Sequence, residues 1–207
     1  MFTYEDTTIY QSDLDLCANP RWLNDRVIAF YFDYLNSQLQ ESKLKLKFIN
    51  PSVVMMINIL PTETLKEEFA SLDLPAADLI FIPINDKTDL EAEIGGSHWS
   101  LLVWIKKDEK FYTFDSYSGA NNQIARRTAY RFSQLVSNKS VPTVQTGRAP
   151  CQTNGYDCGV YTIVFAEWIA THYPVDLDQI SSRITPLLVS QKRTQLVEIM
   201  KKLTQKS

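Results

Sequence analysis

The segment HWSLLVWI, the charged turn KKDEK and the segment FYTFD follow one another over residues 98–115 and read as an antiparallel hairpin with a mostly buried first strand. A hairpin fixes which side chains meet. With Lys106 and Lys107 as a two-residue loop, His98 would lie directly opposite Asp115, their Cβ atoms about 5 Å apart. A loop two residues longer would pair His98 with Tyr117 and leave Asp115 as a diagonal neighbour on the same face. Both registers keep an imidazole within reach of a carboxylate, an arrangement that can hold one histidine tautomer and stabilise its protonated form. The alternative is a strand-end histidine facing solvent beside an unrelated aspartate.

A third group converts the pair into a nucleophile, base and acid set, and Cys158 supplies it. It follows a turn containing Asn154 and Gly155 and opens the apolar segment CGVYTIVFAEWIATH, which reads as a helix although its β-branched residues also suit a strand. Asp157 is the expected N-cap. Free N–H groups and the positive end of the helix dipole favour a thiolate there; a buried small residue is the competing reading. Gln152, in the loop leading to the cysteine, can point its amide at an oxyanion beside the Cys158 N–H, or simply be solvated. The sequence holds two histidines, so the other candidate base is His172. It, Cys17 and Cys151 are assigned to packing or surface roles, because no four-ligand zinc spacing is present.

Around these residues the chain alternates helix and strand signals. Asn24 or Asp25 can cap an amphipathic helix over RVIAFYFDYLNSQL; Asn50 and Pro51 open another over PSVVMMINIL, and TLKEEFASL reads as a third. The first two dozen residues read as irregular. DLIFIPI reads as a strand, NDKTDLEAEIGGS as a polar loop, NNQIARRTAYRFSQLVSN as a helix, VPTVQ as a short strand and SQKRTQLVEIMKKL as a closing helix. At 207 residues and 44% hydrophobic content, one globular domain spanning residues 1–207 is expected. A net charge of -3 leaves no basic excess for nucleic acid. No apolar run is long enough for a membrane span and the acidic start does not resemble a signal peptide. Three cysteines fit a reducing compartment, so a cytoplasmic and/or nuclear monomer is expected.

The string QTNGYDCGVY, preceded by HWSLLV and FDSYSG, and the earlier WLNDRVIAFYF together resemble the Ulp-type cysteine proteases, which include the sentrin/SUMO-specific proteases and the deneddylases. The resemblance covers nearly the whole chain. It implies a papain-like α+β fold with a central mixed or antiparallel sheet flanked by helices, a catalytic His98, Asp115 and Cys158, and Gln152 in the oxyanion hole. It also implies that Trp22 and Trp99 roof a narrow tunnel for a diglycine tail, with Asp25 pairing with a basic residue of that tail. Core packing is the other reading of the two tryptophans, and strand alternation would point Trp99 away from His98.

The short stretch before WLND, the long loop from Asn85 to Ser97 and YDCGVY look most like the deneddylase subfamily, with that loop as a lid ordering on binding. The implied activity is cleavage after the C-terminal Gly-Gly of a ubiquitin-like modifier of the neddylation type, in its precursor or in conjugates such as cullins, without a cofactor. A SUMO-specific protease, an acyltransferase on the same scaffold and a non-catalytic modifier-binding module are the alternatives.

Overall fold

The computed structural model describes residues 1–86, 96–136 and 141–205. Two short strands, β1 (Phe2–Tyr4) and β2 (Thr7–Ile9), pair as a hairpin and lead into α1 (Gln11–Ala18) and α2 (Asp25–Gln38). The expected irregular start is therefore corrected. Strands of three residues carry too little alternation to register as a pattern. The hairpin holds because Phe2 and Ile9 join the core, and Phe2 meets the Phe30 ring edge-on at 5.9 Å. Of the two residues able to cap α2, Asn24 does so, its Oδ1 accepting from the Val27 N–H at 3.0 Å.

Next come β3 (Leu46–Phe48), α3 (Pro51–Ile59) with Pro51 at its tolerated first position, α4 (Leu65–Glu68), β4 (Leu79–Asn85) and β5 (Trp99–Ile105). The helix expected over TLKEEFASL is broken into α4 between two 3₁₀ turns. Of α4 only Leu65 is buried, too little apolar surface to propagate the segment. After β6 (Lys110–Phe114) the chain forms α5 (Asn122–Val136), β7 (Val144–Thr146), α6 (Cys158–His172), α7 (Ile180–Arg183) and α8 (Pro186–Thr204).

The five longer-range strands form one mixed sheet in the order β3-β4-β5-β6-β7, with parallel outer pairs and antiparallel inner pairs. Its two faces follow from the two-residue period of a strand. Leu79, Phe81, Leu101, Val103 and Ile105 pack with α2, α6 and α8. Ile80, Ile82, Leu102, Trp104 and Phe111 pack with α3 and α5. Burial on both faces explains why β4 and β5 read as unbroken apolar runs. Pro83 is tolerated within β4 because β3 pairs only with Leu79–Phe81, so the missing N–H faces the side beyond the end of β3. The α+β arrangement inferred from the sequence is the one observed.

The β5–β6 register pairs Leu101 with Phe114 and Ile105 with Lys110. The connection is thus the longer of the two considered: a 3₁₀ turn, Lys106–Asp108, followed by Glu109 at φ 49°. His98 and Asp115 sit just beyond the paired strands, at the end of the sheet where α6 begins.

Candidate active site

Cys158 is the first residue of α6, whose apolar first two turns are buried against β5. Gly159 lets the start of α6 pack closely on Leu23, just before α2, since a Cβ there would come within 2.9 Å of the Leu23 Cβ. Asp157 occupies the N-cap position, but its side chain does not cap the helix. Its Oδ1 instead accepts from Arg193 Nε at 2.9 Å and its Oδ2 from Asn154 Nδ2 at 2.8 Å. The first-turn N–H groups of α6 are left without a side-chain acceptor, which suits them to bind a developing oxyanion.

His98 is held from both sides. Its N–H donates to Asp86 Oδ1 at 2.8 Å and its carbonyl accepts from Asn121 Nδ2 at 3.3 Å. The ring places Nε2 2.6 Å from Asp115 Oδ1, and Cys158 is near enough to act on its titration. With Nε2 engaged by the carboxylate, Nδ1 is the nitrogen left for the thiol. Burial alone would lower the imidazole pKa, but the hydrogen bond to Asp115 and the nearby Cys158 outweigh it and raise the group to about 9. Burial would likewise raise the Asp115 carboxyl. The bonds it accepts from His98, from the Asn121 N–H at 2.9 Å and from the Tyr117 N–H at 2.8 Å hold it below its usual range. Charge is therefore favoured on both partners, as an imidazole that must accept a proton from a thiol requires.

Gln152 lies in the loop before α6, with its carboxamide fixed at both ends. Oε1 accepts from Ser116 Oγ at 2.8 Å and Nε2 donates to the Asn154 carbonyl at 2.6 Å. One Nε2 hydrogen of the two remains for another acceptor. Because Ser116 directly follows Asp115, one turn positions both the carboxylate and the glutamine.

A cleft of about 1130 Å³ abuts this cluster. Trp22, Asp25, Gly96, Ser97, Trp99 and Gly155 are among its lining residues; His98, Asp115 and Cys158 are not, although Ser97 and Trp99 flank His98 in the chain. Cys158 itself is only 2% exposed. Trp22 is half exposed, with Nε1 donating to the Gly155 carbonyl at 2.6 Å. Trp99 is largely buried, its Nε1 donating to the Leu23 carbonyl at 2.9 Å, and it packs in the same core as Cys158. Trp99 is thus a core residue with one surface on the cleft. Asp25, exposed at the start of α2, also lines the cleft.

His172 is exposed at the far end of α6, stacked on Trp168 at 4.9 Å. Cys17 is buried, and burial pushes its thiol up to about 12. Cys151 is exposed and, like the other two cysteines, unpaired. Among the described residues no cluster of three or more His, Cys, Asp or Glu is placed to hold a metal ion. Most of the loop read as a lid lies outside the described residues. Sequence reasoning missed Asp86, Ser116, Asn121 and Asn154; each is a short polar residue in a loop, with nothing in its spacing to single it out.

The family model described as the Ulp1 protease family, C-terminal catalytic domain, matches residues 21–204. The chain is 35% identical to NEDD8-specific protease 1 of Arabidopsis thaliana, over 100% of this chain and 95% of that one. It is 32% identical to human sentrin-specific protease 8, over 100% and 98%. Among solved structures, the SUMO protease Ulp1 with its catalytic cysteine oxidised to a sulfenic acid superposes with a TM-score of 0.70 at 19% identity, covering 95% of this chain and 84% of that one. That likeness is one of fold.

Proposed function

The chain belongs to the Ulp1 protease family, and from that premise we propose that it is a thiol protease cutting after the C-terminal Gly-Gly of NEDD8. The observation that carries the chemistry is the His98 ring held between Asp115 Oδ1, at 2.6 Å, and Cys158 at the start of α6. The substrate follows from two relatives named for NEDD8 or sentrin cleavage, each matched over the whole of this chain. A cleft walled by Trp22 and Trp99 also suits a tail of two glycines, which present no side chains to the walls.

In this reading the Cys158 sulfur, its proton already passed to His98, attacks the glycine carbonyl carbon. The oxyanion is met by the Cys158 N–H and the remaining Gln152 Nε2 hydrogen. His98 then gives its proton to the leaving amine as the C–N bond breaks, leaving a thioester. Water, deprotonated by His98, attacks the thioester; the C–S bond breaks and the thiol is restored. Asp115 orients the ring and balances its charge. Trp22 and Trp99 wall the tail and Asp25 faces a basic residue within it. All four reacting groups come from one chain, which supports a single catalytic unit over residues 1–207 acting as a monomer. Precursor tails and conjugates such as cullins are its substrates, in the cytoplasm and/or nucleus.

The test is hydrolysis of NEDD8 carrying a fluorogenic C-terminal amide, beside SUMO and ubiquitin equivalents. Turnover by the wild type and none by Cys158→Ala is expected, with NEDD8 the preferred substrate. Faster cleavage of SUMO would overturn the substrate assignment, and undiminished turnover by Cys158→Ala would overturn the nucleophile.

A further inference from the structure

Arg193 lies on α8, in the segment SQKRTQLVEIMKKL read above only as a closing helix, and its guanidinium is nearly buried behind the cleft wall. Every N–H of the fork has an acceptor. Nε donates to Asp157 Oδ1 at 2.9 Å, and Nη2 lies 2.7 Å from the same oxygen. Nη1 donates to the Leu16 and Asn19 carbonyls at 2.8 and 2.9 Å, Nη2 to the Arg21 carbonyl at 3.0 Å and more weakly to that of Tyr156 at 3.4 Å. The cation also lies 5.5 Å from the centre of the Tyr156 ring. One side chain thus ties the two residues before Cys158 to the carbonyls at the end of α1 and to the residue before Trp22.

Two consequences follow from the chemistry of those contacts. An aspartate at an N-cap position ordinarily turns its carboxylate onto the first-turn N–H groups of its helix. Here Arg193, with Asn154, holds the Asp157 carboxylate elsewhere. A released carboxylate would turn onto the Gly159 and Val160 N–H groups and place a like charge beside an oxyanion held at the Cys158 N–H. Secondly, Arg21, Trp22, Gly155 and Tyr156 all line the cleft, and Arg193 braces Arg21 and Tyr156 from behind. The planar fork is what allows one cation to serve several acceptors at once; a lysine ammonium can keep the carboxylate but not the set of carbonyls.

We propose that Arg193 is a positioning residue that keeps the Asp157 charge away from the oxyanion-binding end of α6 and that sets the Trp22 wall of the cleft. This rests on the protease reading above. The experiment measures kcat and KM for the fluorogenic NEDD8 amide with wild type, Arg193→Gln, Arg193→Lys and the double variant Asp157→Ala/Arg193→Gln, each with its thermal midpoint.

Arg193→Gln frees the carboxylate and is expected to lower kcat about 100-fold, the scale of a like charge about 6 Å from the oxyanion in a site of intermediate dielectric, and to raise KM. Removing the freed carboxylate in the double variant restores kcat at least several-fold while KM stays high. Arg193→Lys, which still neutralises Asp157, keeps kcat near wild type with a raised KM, and it carries the test should Arg193→Gln not fold. A role in stability alone predicts the opposite ordering: the double variant, lacking more contacts, would be no more active than Arg193→Gln, and that result overturns the proposal. So does a kcat for Arg193→Gln equal to wild type, or a kcat for Arg193→Lys as low as that of Arg193→Gln. A wild type that leaves the NEDD8 amide uncut rejects the substrate reading and the proposal with it, whereas wild-type turnover with an indifferent Arg193 rejects the proposal alone.

Discussion

His98 Nε2 and Asp115 Oδ1 are 2.6 Å apart although the two residues are not cross-strand partners. The carboxylate reaches diagonally because the Tyr117 and Asn121 N–H groups fix its two oxygens from the turn beyond β6. Asp115→Asn keeps the shape and removes the charge, so the ring loses both its tautomer control and the stabilisation of its proton. We expect kcat to fall by about 100- to 10,000-fold, with the alkaline limb of the pH profile displaced downward. Steady-state kinetics across pH checks both; an unchanged limb would separate Asp115 from the titration of His98.

The raised pKa of His98 sets a pH window. A histidine whose folded value, about 9, exceeds its ordinary 6.5 contributes stability that is complete below 6.5 and is lost as pH rises through 9. The same proton is the one delivered to the leaving amine. Activity should therefore decline on an alkaline limb near pH 9, and the thermal midpoint should fall over the same interval in the wild type but not in His98→Ala. A limb centred near 6.5 would contradict the electrostatics described here.

The site was more legible in the sequence than the scaffold that holds it. With two histidines in the chain, the hairpin pattern alone brought His98 to Asp115, and either register sufficed. The choice of register was not legible, since it depends on Glu109 adopting a positive φ that no residue type at that position announces. The β1–β2 hairpin stayed hidden because its strands are too short to show a period. Asp157 takes the expected N-cap position, but its side chain does not cap: capping preference is local, and Arg193, distant in sequence, claims the carboxylate first. Local rules brought His98 to Asp115, while long-range hydrogen bonds decided the geometry around them.

Gln152 is oriented by Ser116, whose hydroxyl donates to Oε1 at 2.8 Å. Losing the glutamine amide removes an oxyanion donor, so Gln152→Ala should lower kcat about 100- to 1000-fold with little change in KM. Ser116→Ala leaves the donor in place but frees it to rotate, and a smaller loss in kcat is expected. Equal losses in the two variants would mean that Ser116 acts on something other than Gln152.

Asp13 is fully buried and joins α1 to α2. Its oxygens accept from Arg26 Nη2 at 2.8 Å, Asn24 Nδ2 at 2.7 Å and the Tyr10 N–H at 2.9 Å. Burial would raise its carboxyl, but these bonds hold it below the usual carboxylate range. A depressed carboxyl stabilises above its unfolded pKa, and the contribution is lost as pH falls through the folded value. Asp13→Ala leaves Asn24, the cap of α2, without its anchor and should cost about 1–3 kcal/mol. Urea denaturation at neutral pH measures the loss, and the gap between variant and wild type should narrow in acid.

Trp22 and Trp99 share the cleft but stand in different relations to the core, so their truncation should separate binding from folding. Trp22 is 51% exposed and its one recorded hydrogen bond is to the Gly155 carbonyl, whereas Trp99 is 8% exposed and packs among Leu23, Leu101 and Cys158. Trp22→Ala removes a wall with little cost to the core and should raise KM for the NEDD8 amide while the thermal midpoint barely moves. Trp99→Ala opens a cavity beside the nucleophile and should cost about 3–5 kcal/mol of stability, with kcat falling as Cys158 and the Leu23 backbone lose their support. Calorimetry beside steady-state kinetics distinguishes the two, and a Trp22→Ala protein with unchanged KM would remove that residue from the tail-binding surface.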